Sequence, residues 1–171
     1  MKNVSNYKIR KEKFFMANNK IGTIRMRMGT HDAHYGGNLV DGARLIGLIS
    51  DAGTELQIAW SGDEGLLAAW HHIEQFVPVY MGDYIEVRTW FSRYGNTSAD
   101  LEGAVYKVGE LVDGGKTNAA RIIDPPILVM RASATGVTPK DVNRGLQVEK
   151  LEDIPFEPAG ETKWWEKKRQ K

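Results

Sequence analysis

One short run of the chain holds most of the residue types from which chemistry can be built: Asp32-Ala33-His34-Tyr35-Gly36-Gly37-Asn38, followed by Leu39-Val40-Asp41-Gly42-Ala43-Arg44-Leu45. An acid, an imidazole and two adjacent glycines precede a helical pattern. Gly36 and Gly37 let backbone N–H groups approach a ligand with no Cβ in the way. At a helix N-terminus those groups and the macrodipole favour negative charge. A carbonyl oxygen on its way to an enolate is such a charge, and a fixed donor there is worth roughly 10²–10³ in rate. His34 stands one step from that position. A histidine in that place is expected to act as the base. The competing reading is a helix cap and a tight turn without chemistry, and on this segment alone the two weigh about equally. Asp51 and Glu55, four apart on one helix face, are candidates for a second acid–base group, or a structural pair neutralised by Arg44. Asp32 either orients His34 or caps the helix, and Asp is a common cap.

The elements that must position these groups show in the periodicity. Thr23 to Met28 alternates strictly, with Ile24, Met26 and Met28 apolar, and reads as a half-buried strand. After a break at 29–37, residues 38–57 predict a helix with an apolar stripe of Leu45, Leu48, Ile49, Ala52 and Leu56. Gly42, Gly47 and Gly53 each weaken that helix, so close packing is expected at them. Strands are predicted at 66–70, 73–76, 84–91, 97–112 and 127–134, with Asp113-Gly114-Gly115-Lys116 as a turn. From Pro139 on the chain is polar and reads as a meandering tail, with Trp164-Trp165 as a docking element. One early helix followed by about five antiparallel strands is an α+β pattern: a sheet wrapped around a single helix.

Composition removes whole classes of function. The 171 residues contain no cysteine, which excludes disulfides, zinc-thiolate sites, iron–sulfur clusters and cysteine nucleophiles. No apolar stretch approaches the ~20 residues that span a bilayer. The first thirty residues lack a signal-peptide core, so no membrane role and a cytoplasmic location are expected. The net charge of +1 hides basic ends, +4 over residues 1–13 and +3 over 161–171, around a body of −6. That body lacks the basic face of a nucleic-acid module. Gly114-Gly115-Lys116-Thr117 imitates a phosphate loop, but Glu110 occupies the position of its first glycine. His31, Asp32 and His34 lack further ligands for a metal site, and none is expected.

Longer stretches carry a resemblance. The run Asp32–Arg44, Gly53-Thr54-Glu55-Leu56, Pro78-Val79-Tyr80-x-Gly82-Asp83, Gly95-Asn96-Thr97-Ser98, Ala104-x-Tyr106-Lys107-Val108 and Pro125-Pro126-x-Leu128-x-x-Arg131-Ala132 resemble the 3-aminobutyryl-CoA ammonia-lyases. The β-alanyl-CoA ammonia-lyases look like the next nearest group. The similarity covers about residues 31–136, in order. It implies a hot-dog fold over residues 21–138, between an N-terminal extension (1–20) and a C-terminal one (139–171). It also implies reversible elimination of ammonia from an acyl-CoA thioester in the lysine or β-alanine fermentation of bacteria. Coenzyme A would be part of the substrate and no separate cofactor is implied; the partners would be the thioester, ammonia and further copies of the chain. His34-Tyr35-x-Gly37 is also similar to the His-Phe-Pro-Gly turn of the hot-dog dehydratases, which carries a catalytic role to His34. Their partner glutamate would fall near Gly47 or Leu48, so Asp51 or Glu55 stands in for it. Tyr35, Gly36, Gly37 and Asn38 are the candidate substrate-binding residues; His34, Asp51, Glu55 and Asp32 are the candidate catalytic ones. A hot-dog thioesterase and a non-catalytic acyl-CoA-binding homologue are the alternatives.

Overall fold

The alternating run folds as β1 (Gly22–Arg27), with Ile24 and Met26 packed on the core and Thr23, Arg25 and Arg27 exposed. These and the following observations come from a computed structural model that describes residues 21–145 and 147. The helix α1 spans Gly42–Ser61, four residues later at each end than periodicity predicts. Its start is set by Asp41, whose carboxylate accepts from the Ala43 N–H at 2.9 Å. An earlier start is ruled out by Gly37 and Asn38, at φ +72° and +61°. Its end is set by Gly62 in the left-handed region, whose N–H donates to Ile58 O at 2.8 Å. Arg144 donates from Nε to the Gly62 carbonyl at 2.8 Å, so the chain after Pro139 first serves to close the helix end. The remaining residues expected to form the two extensions, with Trp164-Trp165, lie outside the described residues.

The apolar stripe holds as read: Leu45, Leu48, Ile49, Ala52 and Leu56 are all buried. Full burial of each Leu or Ile side chain contributes roughly 1.5–3 kcal/mol, so this stripe fixes α1 to its sheet. The expected close packing at the helix glycines is true of Gly53, where a Cβ would sit 2.5 Å from a Leu101 methyl. Gly42 faces the Gln75 side chain. At Gly47 the expectation fails, because a Cβ there would meet nothing within 4 Å.

Four further strands complete the sheet: β2 (Leu66–Gln75), β3 (Tyr84–Tyr94), β4 (Ser98–Leu111) and β5 (Ala120–Val137). Their order is β1-β3-β4-β5-β2, every pair antiparallel. Ile85, Val87, Thr89 and Phe91 turn inward together, as the alternation predicts. Two expectations are corrected. The two short strands at 66–76 are one strand, whose register against β5 slips between Leu67 and Ala69 and again between Trp70 and His72. The last strand begins before the prolines, not after them. Gly109 pairs with Ile122 while Lys107 pairs with Ile127, so residues 123–126 lie off the β4 ladder. Pro125 and Pro126, which lack N–H groups, occupy that excursion. Among the described residues no helix is long and apolar enough to cross a membrane.

Candidate active site

The two glycines do not open α1. Gly36–Asn38 forms a separate single 3₁₀ turn, joined to the helix through Leu39, Val40 and Asp41. A Cβ at Gly36 or Gly37 would meet nothing within 4 Å, so the backbone of this turn lies open to an approaching ligand. The first N–H groups of any helical turn have no partner within it. The turn is held from below by the segment between β2 and β3. Met81 N–H donates to Asn38 O at 2.9 Å, Val40 N–H donates to Val79 O at 2.9 Å, and Leu39 bridges to Tyr80.

His34 and Tyr35 stand at the entrance of the turn, both exposed, with ring centroids 4.3 Å apart. The acid nearest His34 is Asp41: Oδ2 lies 3.8 Å from Nδ1, while Oδ1 caps the helix. Asp41 thus joins the site and the helix start, and the sequence reading missed it. The signal was present, since an Asp directly before Gly42-Ala43 is a strong cap; assigning the helix start to residue 38 concealed it.

The structure corrects both expectations for Asp32. Its carboxylate neither caps α1 nor meets His34, but accepts from Gly29 N–H at 2.8 Å and from Arg44 Nε at 2.7 Å. Partial burial works against its charge, yet the Gly29 N–H and the Arg44 guanidinium, with help from His31, hold it below the usual carboxylate range. Asp32 is therefore an anchor between the glycine segment and the first turn of α1. Arg44 is committed to it and does not neutralise Asp51 or Glu55. Those two are exposed on α1; Glu55 turns toward β1, where it meets Thr23 N–H at 3.4 Å. At 1.5 Å rise per residue, Asp51 and Glu55 lie about 15 and 21 Å along the axis from Asp41, so one chain does not bring them to His34.

A different helix face lines open space. Ser50, Thr54 and Gln57 border a cavity of about 240 Å³ with Leu66, Leu67 and Trp70 of β2 and Phe91 of β3. Gly47 continues that stripe toward the glycine turn, with its bare Cα leaving room. Of the arginines that could meet a CoA diphosphate, Arg93 pairs with Asp100 at 2.5 and 3.0 Å and Arg121 pairs with Glu110 at 2.9 Å. Among the described residues no three His, Asp or Glu side chains gather where they could hold a metal ion.

Comparison with known proteins returns no matching family model. The chain is 46% identical over 121 residues to a 3-aminobutyryl-CoA ammonia lyase of Acetoanaerobium sticklandii, covering 71% of this chain and 96% of that protein. Its structure is similar to that of a β-alanyl-CoA:ammonia lyase from Clostridium propionicum, with a TM-score of 0.75 and 35% identity over 78% of this chain and 95% of that one. A hexameric hot-dog thioesterase of Campylobacter jejuni, 20% identical, has a TM-score of 0.57 over 72% of this chain and 88% of that one; at that distance it speaks to fold alone. The five-stranded antiparallel sheet wrapped on α1 is thus the hot-dog fold, and the chain belongs to the family of the 3-aminobutyryl-CoA and β-alanyl-CoA ammonia lyases.

Proposed function

We propose that this chain catalyses the reversible elimination of ammonia from 3-aminobutyryl-CoA to give crotonyl-CoA, with β-alanyl-CoA as the lesser substrate. The observation that carries this reading is the open glycine turn with His34 at its entrance, in a chain 46% identical to a 3-aminobutyryl-CoA ammonia lyase. The thioester acidifies the α-proton, and His34 takes it. The electron pair left behind forms the C=C bond as the C–N bond breaks, and the protonated amine departs as ammonia. Charge gathers on the thioester oxygen in between, where the N–H groups of Gly36 and Gly37 receive it. Tyr35 and Asn38 border the bound thioester, and Asp41 holds the His34 ring. The reaction balances with side chains and substrate alone and requires no separate cofactor.

The working unit in this proposal is a pair of chains or an assembly of pairs. The outer edge of β2 carries exposed Leu66, Leu67 and Ile73, the surface of a strand made to be covered. Pairing there brings a second α1 beside the first, and Asp51 then anchors the substrate ammonium of the neighbouring site, while Glu55 stays with Thr23 of β1. The setting that goes with this reading is the bacterial cytoplasm, in fermentation of lysine or β-alanine.

The test mixes pure protein with crotonyl-CoA and ammonium and follows loss of the enoyl thioester absorbance together with product mass. Addition of ammonia without free thiol is expected, faster than with acryloyl-CoA. Release of thiol would make the chain a thioesterase, and binding without turnover would make it a non-catalytic homologue.

A further inference from the structure

Lys107 is a buried cation with no place in the reaction described above. It lies on β4 on the same face as Val105, which packs into the core. Its ammonium is 2.7 Å from Asp83 Oδ2, with both side chains 6% exposed. It also lies 3.8 Å from Glu110 and 5.8 Å from the centre of the Tyr80 ring. Asp83 closes the segment before β3: the same Oδ2 accepts from Tyr80 N–H at 2.9 Å, and the Asp83 N–H donates to Tyr80 O at 3.0 Å. Its carbonyl accepts from Met28 N–H at 2.8 Å, tying the loop to the end of β1. The residues this carboxylate folds into a turn, 79–83, are the ones that carry the glycine turn, through Val79 to Val40, Tyr80 to Leu39 and Met81 to Asn38.

We propose that Lys107 and Asp83 are positioning residues for the glycine turn, the buried ion pair setting the height at which the Gly36 and Gly37 N–H groups meet the thioester oxygen. The physical ground is the asymmetry of buried charge. A carboxylate out of water needs its cation, and without it either draws in water or shifts toward it. A shift of the 79–83 turn passes directly to Asn38 and Val40, because backbone hydrogen bonds join them. Displacement of about 1 Å at such a site costs on the order of 10²-fold in rate. The proposal rests on the lyase reading for its kinetic consequence, but its structural consequence stands apart from that reading.

The experiment compares wild type with Lys107→Met, Lys107→Arg and Asp83→Asn by kinetics with crotonyl-CoA and ammonium and by amide hydrogen exchange. The Asn variant keeps an acceptor for Tyr80 N–H and loses only the charge. In Lys107→Met, kcat is expected to fall roughly 10–100-fold with KM for the thioester within about threefold, the signature of a contact made in the transition state. Exchange at Val40 and Met81 is expected to quicken while Ile49 and Ala52 in α1 keep their protection, and Lys107→Arg restores most of both. Trp60→Phe, at the far end of α1 against Phe91 and Tyr94, lowers stability remotely and serves as the control. Unchanged kcat and unchanged exchange at Val40 in Lys107→Met would overturn the proposal, as would equal loss of kcat in Trp60→Phe at equal thermal destabilisation. If Lys107→Met does not fold, Asp83→Asn, which also breaks the ion pair, is read against the same outcomes, with Lys107→Arg still expected to stay near wild type. If wild type adds no ammonia, the lyase reading fails and the exchange at Val40 alone decides whether the pair holds the turn.

Discussion

At the scale of single residues, the arrangement of His34 and Asp41 separates a chemical role from a structural one. Asp41 has two duties, one oxygen on the Ala43 N–H and the other beside the His34 ring. Asn caps a helix about as well as Asp, so Asp41→Asn retains the first duty and removes the negative charge needed for the second. Thermal stability is expected to stay within about 0.5 kcal/mol of wild type, while ammonia addition slows about tenfold or more for want of a held ring. His34→Ala removes the base itself and is expected to cost roughly 10²–10⁴ in kcat. Full turnover in His34→Ala would move the base elsewhere and end this scheme. Asp32 gives the opposite contrast: bound to Gly29 and Arg44, its loss is expected to lower the melting temperature more than it alters the chemistry.

At the scale of elements, α1 and β4 each carry a residue whose environment sets a stability prediction. Gly47 and Gly53 stand in one helix, and replacing glycine by alanine favours a helix by ~1 kcal/mol. At Gly47 nothing opposes that gain, so Gly47→Ala is expected to raise the unfolding midpoint. At Gly53 the new methyl collides with Leu101, and overpacking of about 1–3 kcal/mol exceeds the gain, so Gly53→Ala is expected to lower it; calorimetry on the two variants reads both signs. On β4, Glu102 is only 8% exposed. Burial pushes its carboxyl up to about 8, with Arg131 pulling it down and Asp100 adding to the rise. The folded chain therefore holds this proton more tightly than the unfolded chain. Stability from this group is fully present below its ordinary value of 4.5 and falls as pH rises to about 8, then levels. Glu102→Gln is expected to flatten that decline, which thermal unfolding between pH 5 and pH 9 would show. The same elements explain what the sequence revealed and what it hid. The stripe from Leu45 to Leu56 was readable because five buried positions repeat at helical spacing. The length of β5 was not, because Pro125-Pro126 reads as a stop when it sits in an excursion off the ladder. β2 read as two pieces because slips near Ala68 and His71 break the alternation of an otherwise continuous strand. His34 beside Asp41 depended on where the helix begins, and a two-glycine turn with its own positive φ angles moved that start by four residues.

At the scale of the whole molecule, the two edges of the sheet differ in kind. β1 presents Thr23, Arg25 and Arg27 to solvent, and like charges along an edge resist pairing with another strand. β2 presents Leu66 at 69% exposure and Leu67 at 51%, on the strand that borders the cavity beside α1. Burial of those two side chains returns roughly 1.5–3 kcal/mol each, and a second β2 running antiparallel to the first also satisfies the backbone groups of the edge. Homotypic pairing through β2 is therefore expected and pairing through β1 is not. Leu67→Asp places two carboxylates at the proposed seam, one from each chain, and is expected to shift the mass in solution from at least a dimer to a monomer, read by light scattering at micromolar protein. Arg25→Asp at the other edge is expected to leave that mass unchanged. In the proposed pair Asp51 serves the glycine turn of the neighbouring chain, so Leu67→Asp is also expected to lose ammonia addition together with assembly. A monomeric Leu67→Asp with full kcat would confine the reaction to His34, Asp41 and the glycine turn of one chain, and would remove Asp51 from the mechanism.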